Sequence, residues 1–422
     1  MYKKHLFLLI IPFLLLSCEH RNEIKNDIYW KTRLADKTWI FDSGLGYPTH
    51  DNVVVFHSTP EPWGDNRESI LHGLSTKTGK ELWRLTNSDF YPMTSLAFDG
   101  PESYFYQYEN IFVGADYHNN HINDREKWAY AIDIVKGKVL WLKPFDDCVK
   151  FGTTVVGKDN YVYIDYQKEP TEFTLLRFDI NSGESTEVLR FTQDDTPEDI
   201  PLRFLYLYQM SQVYTDSKGD EYIAFSFNAY NSSFDLHKAF MTLIVYNLSK
   251  NEIVYAKYVN NKELVPNTDG FNGRIFFHNG KLIVGKGRVV YCFDAYEDAD
   301  VIWEYVTGIY GTDNIITVTG YDNLAIVSAL TDVYAFDINT GSLKYRVEDN
   351  FFSSKIADGV IYYETGKELT IRDVYTGKIL KLVPVGQNEG GSFGSSRPNV
   401  VDGRVYIHSG TPAYCIKAWG VK

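Results

Sequence analysis

The chain has 422 residues, of which 44% are hydrophobic, 23% charged and 16% aromatic, a composition typical of packed globular proteins and unlike that of disordered or collagen-like chains. Its formal net charge is −13, and no run of Lys or Arg interrupts this acidity, so the sequence disfavours nucleic-acid binding. The excess of Tyr, Phe and Trp favours β-strands, because aromatic side chains fit a pleated surface.

The N-terminus is typical of an exported protein. Basic residues precede an apolar run from Leu6 to Leu16, which is too short to cross a bilayer core of about 30 Å as a helix. The run ends in Leu15-Leu16-Ser17-Cys18, which resembles the lipobox of bacterial lipoproteins. We therefore predict a signal peptide over residues 1–17, with Cys18 as the residue that carries palmitate and other lipid chains.

Cleavage before Cys18 would leave residues 18–27 as the lipidated Cys and a polar tether, followed by one folded domain over residues 28–422. A multiply acylated Cys anchors a protein durably to a membrane. We expect a lipid-anchored protein of the cell envelope, on the outer membrane facing the periplasm if the cell is Gram-negative. The alternative is an ordinary signal peptide in which Cys18 lies near the cleavage region.

A repeated hairpin organises the remaining chain. Each copy has a strand, a polar residue, a Gly or its substitute four positions later, and a second strand. A polar side chain accepts bonds from nearby N–H groups and Gly tolerates a positive φ, so the spacing predicts a tight turn. An aromatic residue often follows, which we expect to dock against the neighbouring sheet. The seven copies begin at Ser75, Asp133, Asp179, Asn247, Asp294, Asp337 and Asp373.

A second element, a polar dipeptide followed by an apolar strand, also predicts a hairpin. Its eight copies are Asp51-Asn52, Glu109-Asn110, Asp159-Asn160, Gly219-Asp220, Asn279-Gly280, Asp322-Asn323, Asp358-Gly359 and Asp402-Gly403. The last copy is followed by strands at Arg404 to His408 and Ala413 to Lys417, after which too few residues remain for a further strand. We predict that Ile28 to Leu34 supplies it and closes a ring.

The spacing of the repeats predicts the architecture. Successive turns lie roughly 50 residues apart, which suits a propeller blade of four strands, and eight such units account for the chain after the signal peptide. The sequence therefore predicts an all-β fold. It is one eight-bladed β-propeller of four-stranded antiparallel blades, closed by the N-terminal strand.

The segments Thr78-Gly79-Lys80-Glu81-Leu82-Trp83 and Gly137-Lys138-Val139-Leu140-Trp141 resemble the pyrroloquinoline quinone (PQQ)-like repeat of quinoprotein alcohol dehydrogenase-like propellers. The resemblance extends over nearly all of the mature chain. It implies the fold but not one function, because this superfamily includes cofactor-dependent dehydrogenases, scaffolds and ligand sensors. In its predicted fold and localisation, the chain is similar to the lipoprotein propeller of the outer-membrane β-barrel assembly machinery.

Quinoprotein alcohol dehydrogenases typically carry adjacent cysteines over the quinone and a Ca²⁺ site, but this sequence has no Cys-Cys pair. We expect no PQQ, no other cofactor and no catalytic residue. The carboxylates from Asp194 to Asp199 lack the spacing of a Ca²⁺ loop, and His118 and His121 lack a fixed third ligand, so we expect polar loops and no metal site. Three further cysteines are expected to be buried thiols: Cys148, Cys292 and Cys415.

Two repeat intervals are long, at 58 residues before Gly137 and 68 before Asn251. Long loops on a rigid scaffold often carry recognition, so we expect the insertions of blades 2 and 4 to bind a partner. Aromatic and polar side chains there suit a protein interface. The candidate interaction residues are Tyr106, Tyr108, Tyr117, His118, His121, Tyr208, Tyr230 and Phe234.

The sequence favours a non-enzymatic, membrane-anchored propeller that acts as a protein–protein interaction scaffold in the bacterial envelope. We expect a monomer with an envelope protein as partner and with membrane contact only through the lipid. One alternative is a protein that binds carbohydrate or a small ligand, or a cryptic enzyme with a site in the central channel. Another is an envelope immunity protein that blocks a toxin.

Overall fold

Eight antiparallel sheets follow one another along the chain in the computed structural model. The structure describes residues 27–34, 47–58, 70–90, 105–116, 127–145, 147–148, 150–169, 171–192, 195, 204–230, 240–259, 274–297, 300–307, 315–329, 331–349, 354–364, 368–384, 398–408 and 412–420. The predicted signal peptide, Cys18 and most of the tether lie outside these residues.

The first four blades contain the following strands. Blade 1 has β2 (Thr49–His50), β3 (Val53–Ser58), β4 (Ile70–Ser75) and β5 (Glu81–Leu85), followed by a 3₁₀ turn at Asn87–Phe90. Blade 2 has β6 (Phe105–Tyr108), β7 (Ile111–Asp116), β8 (Trp128–Asp133) and β9 (Lys138–Pro144). Blade 3 has β10 (Lys150–Lys158), β11 (Tyr161–Gln167), β12 (Phe173–Asp179) and β13 (Ser185–Phe191). Blade 4 has β14 (Phe204–Met210), β15 (Tyr214–Thr215), β16 (Glu221–Tyr230), β17 (Phe240–Asn247) and β18 (Glu252–Val259).

The other four blades complete the ring. Blade 5 has β19 (Arg274–His278), β20 (Lys281–Lys286), β21 (Val289–Asp294) and β22 (Val301–Val306). Blade 6 has β23 (Ile315–Tyr321), β24 (Leu324–Ala329), β25 (Asp332–Asp337) and β26 (Leu343–Glu348). Blade 7 has β27 (Ser354–Ala357), β28 (Val360–Glu364), β29 (Glu368–Asp373) and β30 (Ile379–Pro384). Blade 8 has β31 (Asn399–Val401), β32 (Arg404–His408) and β33 (Pro412–Lys417), with β1 (Ile28–Arg33) as its outer strand.

The N-terminal strand closes the ring, as the sequence predicts. β1 pairs antiparallel with β33, with Trp30 opposite Cys415 and Arg33 opposite Pro412. The last sheet therefore has the order β1-β33-β32-β31, so its two parts come from opposite ends of the chain. The prediction of an all-β, eight-bladed propeller of four-stranded antiparallel blades is confirmed.

The predicted turn chemistry is also present in both kinds of hairpin. The first residue of every polar dipeptide between the first and second strands has a positive φ, for example 52° at Asp51 and 51° at Asp159. In the hairpins between the third and fourth strands, Asp133 Oδ1 accepts bonds from the N–H groups of Val135 and Lys136, both at 3.0 Å. These local bonds fix the turns and hence the strand register.

Aromatic side chains on the outer strands join each blade to the next, and we call each such contact a clasp. The indole N–H of Trp83 in blade 1 donates to the carbonyl of Ile134 in blade 2 at 2.8 Å. The same bond recurs around the ring as Trp30 to Thr76, Trp141 to Ile180 and Trp303 to Ile338, and with a phenol as Tyr255 to Asp294 and Tyr345 to Val374. The expectation that these aromatics dock between neighbouring sheets is confirmed.

Blades 3 and 7 carry Glu187 and Lys381 at the aromatic position, and different contacts join them to the next blade. The phenol of Tyr246 in blade 4 donates back to the carbonyl of Val188 at 3.0 Å. The ammonium of Lys381 lies 2.5 Å from the Asp27 carboxylate, beside β1. An ion pair therefore joins blade 7 to the strand that closes the ring.

A β-bulge precedes the clasp position in seven of the eight blades, for example at Leu82 in blade 1 and Leu140 in blade 2. In blade 3 the register shift lies at Val188, which follows Glu187. A bulge re-aims the next side chain and increases the local twist. It therefore turns the aromatic towards the neighbouring blade and also makes the exposed edge strand irregular.

The core is a set of apolar layers between adjacent blades. One layer joins blades 4 and 5 and includes Ala224, Leu243, Val284 and Val289. Polar contacts near the channel add to these layers: the Gln107 amide donates to Thr49 O at 2.8 Å and accepts from Thr49 N at 3.2 Å. Within the described part of the chain, no helix is long and apolar enough to span a membrane.

Candidate interaction face

The two faces of the ring differ in their connections. Because successive strands alternate in direction, the hairpins between strands one and two and between strands three and four lie on one face, which we call the turn face. The connections between strands two and three, and those between blades, lie on the opposite connector face. The turn face has mostly short turns of the kind described above, with one longer connection in blade 4 (residues 211–220) that contains β15. The connector face carries the long intervals between strands two and three and between blades.

Buried polar side chains concentrate towards the connector face. Among the described residues, most buried polar groups lie in the connector-face half of their strands or directly beside it. They are His57, Ser58, His72, Lys127, Asp165, Gln167, Thr174, Ser226, Lys286, Thr307, Ser328, Asp332, Glu364, Thr370 and His408. Buried polar groups cost stability unless they are bonded, and perturbed titratable groups are enriched at functional sites. The connector face is therefore the better candidate for function.

Three side chains on the connector-face side are arranged in the Ser–His–carboxylate order of a catalytic triad. Ser58 Oγ lies 2.6 Å from His72 Nε2, and His72 Nδ1 lies 2.8 Å from Glu81 Oε2. Burial lowers the pKa of His72, while the hydrogen bond and charge of Glu81 oppose that shift. Ser58 and His72 are both 0% exposed, so in this structure the hydroxyl cannot meet a substrate. The arrangement satisfies buried polar groups across three strands of blade 1.

Two other buried histidines lie at the same end of their strands. Burial, helped by the nearby His72 and His408, lowers the pKa of His57 to about 3. Burial alone lowers the pKa of His408 to about 3, and its ring lies 6.2 Å from that of Tyr47 in an edge-on contact. Both imidazoles are therefore neutral at physiological pH.

The structure places Tyr106 and Tyr108 on β6, the first strand of blade 2, and not on an inserted loop. Both pack partly against the layer between blades 2 and 3. The Tyr106 phenol donates to the carbonyl of Asp159 at 3.3 Å, and burial followed by the Asp159 charge raises its pKa to about 12. These contacts give Tyr106 a structural role, and its role in partner binding stays a prediction.

The expected insertion in blade 4 is partly strand. Tyr208 lies on β14 at a register shift between Leu207 and Gln209, and Tyr230 ends β16 opposite Phe204. Residues 228–230 therefore belong to a strand and not to an inserted loop. The extra length goes partly into β15 and into strands β16 to β18, which have ten, eight and eight residues. Tyr117, His118, His121 and Phe234 lie outside the described residues.

The cysteines of this chain do not fit the PQQ site of quinoprotein alcohol dehydrogenases. Cys148, Cys292 and Cys415 are buried thiols in three different interblade layers, so they cannot form a disulfide over a quinone. Burial raises the pKa of both Cys292 and Cys415 to about 12, which makes them unreactive. In the described ranges, no group of three His, Cys, Asp or Glu side chains could hold a metal ion.

The buried polar groups are functional candidates that the sequence patterns above do not identify. His57, Ser58, Lys286 and His408 lie in the last two positions of the second strand of a blade, after a run of mostly apolar residues. Aligning the blades by their turns would have shown this pattern. Ser226 would still have been missed, because a single Ser in a strand carries no signal of burial.

Comparison with known proteins supports the repeat and the fold. A family model described as outer membrane protein assembly factor BamB matches residues 252–419, less than half of the chain, from the last strand of blade 4 to the end of blade 8. No curated protein matches the sequence.

Solved structures with similar folds include proteins of different kinds. Quinohemoprotein alcohol dehydrogenase from Comamonas testosteroni has 12% identity and a TM-score of 0.60, covering 94% of this chain and 77% of that one. Sqt1 from Saccharomyces cerevisiae has 10% identity and a TM-score of 0.55, covering 92% and 98%. The Dos1 propeller has 9% identity and a TM-score of 0.57, covering 93% and 95%. The chain is thus an eight-bladed β-propeller built from PQQ-like repeats, and its second half matches the BamB family model.

Proposed function

We propose that this protein is a lipid-anchored, non-catalytic scaffold of the bacterial envelope that binds a partner protein through its connector face. The observation that carries the proposal is the difference between the two faces. Short bonded turns predominate on one face, whereas most long connections and most buried polar groups lie at the other. Recognition is commonly placed on long connections that a rigid scaffold holds in position.

The clasps support a scaffold role. Trp, Tyr or Lys contacts join every blade to the next, and the first strand closes the last sheet. A ring joined in this way holds its loops in fixed relative positions, which lowers the entropy cost of binding. The match to the BamB model supports a protein partner in the envelope.

The anchor can be tested separately from the interaction. If Cys18 carries the lipid, a Cys18→Ser variant should lose incorporation of labelled fatty acid and leave the membrane fraction. Ser has nearly the same size but no thiol, so folding should not change. Equal fatty-acid labelling of the wild type and the variant would remove the lipoprotein proposal and leave the fold untouched.

The interaction is tested by shortening connections. Removing Asn119 to Asp124 in blade 2, or the residues from Asn231 to Phe234 in blade 4, should leave the melting temperature nearly unchanged, because loop length affects stability only weakly. Capture of the envelope partner from wild-type extracts should be lost. A matched substitution on the turn face, Asn181→Ala, should retain capture. If both shortened variants still capture the same partner, binding does not use these loops.

A further inference from the structure

Lys286 is a buried lysine whose ammonium has no hydrogen-bond acceptor among the described residues. It ends β20 and is 2% exposed, and its ammonium donates no hydrogen bond to any residue that the structure describes. Burial alone lowers its pKa to about 7, with no charged side chain contributing. A lone buried ammonium destabilises the folded state, and buried charges in proteins are usually paired. Lys286 therefore differs from an ordinary structural lysine.

Other buried cations in this protein have partners. The guanidinium of Arg372 bonds to Tyr363, Asp349 and the carbonyl of Gly377. The ammonium of Lys127 bonds to the carbonyl of Cys148. The fold can thus supply acceptors to a buried cation, whereas the residues that the structure describes supply none to Lys286.

A second unpartnered polar group belongs to the same interblade layer. Ser226 on β16 is 0% exposed, and its hydroxyl has no hydrogen-bond partner in the described part of the chain. Ser226 lies opposite Leu243, and Lys286 lies opposite Val289, both of which belong to the layer between blades 4 and 5. Directly opposed residues share a face of their sheet, so Ser226 and Lys286 face the same layer.

The two side chains are also at a similar height in the ring. Each is the sixth residue of a second strand, counted from the turn face: β16 begins at Glu221 and β20 at Lys281. Two residues earlier, Ala224 and Val284 pack in one cluster. The next position on each strand that faces this layer is therefore occupied by a polar residue, Ser226 on β16 and Lys286 on β20. Both lie at the connector-face side of the apolar layer.

The backbone around Lys286 is held in place. Gly287 O accepts a bond from Ile315 N at 2.7 Å, and Arg288 O accepts one from Thr307 N at 2.7 Å. The Thr307 hydroxyl donates to the same Arg288 carbonyl at 2.9 Å. Blades 5 and 6 both fix this turn, so the position of the ammonium is set before any ligand arrives.

We propose that Lys286 Nζ and Ser226 Oγ form a binding site for a small carboxylate ligand at the connector-face side of the layer between blades 4 and 5. The ammonium pairs with one carboxylate oxygen and the Ser226 hydroxyl donates to the other. A monoanion fits because one cation neutralises it, whereas a phosphate dianion would leave buried negative charge.

The test measures thermal unfolding of the whole protein at constant ionic strength below pH 7, with acetate as the probe because the site is nearly closed. Acetate should raise the wild-type melting temperature saturably, whereas neutral acetamide and chloride should not. In Lys286→Met, the concentration of acetate for half the effect should rise at least tenfold, and in Ser226→Ala it should rise less. Lys281→Met, at the other end of β20, should respond as the wild type does.

Lys286→Met should also unfold at a higher temperature than the wild type without acetate, because it removes the lone ammonium. If a folding defect obscures that variant, the conservative Ser226→Ala variant carries the test. No saturable response of the wild type, an equal response to acetamide, or an unchanged response in both Lys286→Met and Ser226→Ala would overturn the proposal. A response to inorganic phosphate alone would overturn the carboxylate assignment.

Discussion

Gly137 meets two requirements of the propeller in one residue. It has a φ of 59°, and a Cβ there would lie 2.3 Å from the ring of Trp83 in the preceding blade. Gly183 stands in the same relation to Trp141, with a φ of 68° and a Cβ contact of 2.6 Å. The glycine of the repeat therefore serves the turn and also leaves room for the clasp.

Because Gly137 has both roles and Gly280 has only one, the same Gly→Ala substitution should lower the free energy of unfolding by different amounts at the two positions. Gly280→Ala, where φ is 74° and the nearest atom lies 3.7 Å away, should cost about 1 kcal/mol through backbone strain. Gly137→Ala should cost more, about 3 kcal/mol, because Trp83 must also move. Chemical unfolding measures both. In a Trp83→Ala background, which lacks the indole, Gly137→Ala should lower the free energy of unfolding by less than it does in the wild type. Equal losses of stability at Gly137 and Gly280 would contradict the double role.

The buried histidines predict sensitivity to acid. The pKa of His57 and of His408 falls from 6.5 to about 3 in the folded protein, so between these values the unfolded chain binds more protons. The free energy of unfolding should therefore fall as the pH drops from 6.5 towards 3, by several kcal/mol at most. In a His57→Gln, His408→Gln double variant this slope should flatten. An unchanged slope in urea unfolding series would contradict neutral burial.

At the scale of the element, the turns and strand order could be predicted because their chemistry is local. The Asp of each hairpin bonds within three residues, as Asp133 does, so the sequence alone contains the whole interaction. The contacts that replace the clasp at Glu187 and Lys381 could not be predicted. They depend on Tyr246 and Asp27, which the fold brings close from distant positions.

The N-terminal strand β1 should contribute to the stability of the whole ring. Trp30 is 7% exposed and its indole donates to Thr76 O at 2.9 Å, so β1 joins blade 8 to blade 1 as well as closing its own sheet. Deleting Asn26 to Leu34 should expose the edge of β33 and lower the melting temperature by several degrees. Trp30→Phe, which keeps a ring but removes the donor, should cost only about 1 kcal/mol. A deletion variant that melts like the wild type would show that closure does not stabilise the ring.

At the scale of the whole molecule, eight similar blades produce two different faces. Each turn-face hairpin is specified by its own residues, whereas the connector face collects buried groups such as Lys286, Ser58 and His408. Sequence patterns predicted the ring because every blade repeats them. They did not predict the polar layer, because burial of a polar residue depends on what the neighbouring blades place over it.

Partner binding through the connector face can be tested by site-specific photo-crosslinking in intact cells. A crosslinking amino acid at exposed Glu169 or Thr331 lies on the connector face, and one at exposed Asn181 or Asn339 lies on the turn face. If the partner binds the connector face, the first pair of positions should give one discrete crosslinked partner and the second pair none. Crosslinks to the same partner from the turn face alone, or none from any position, would contradict binding through the connector face.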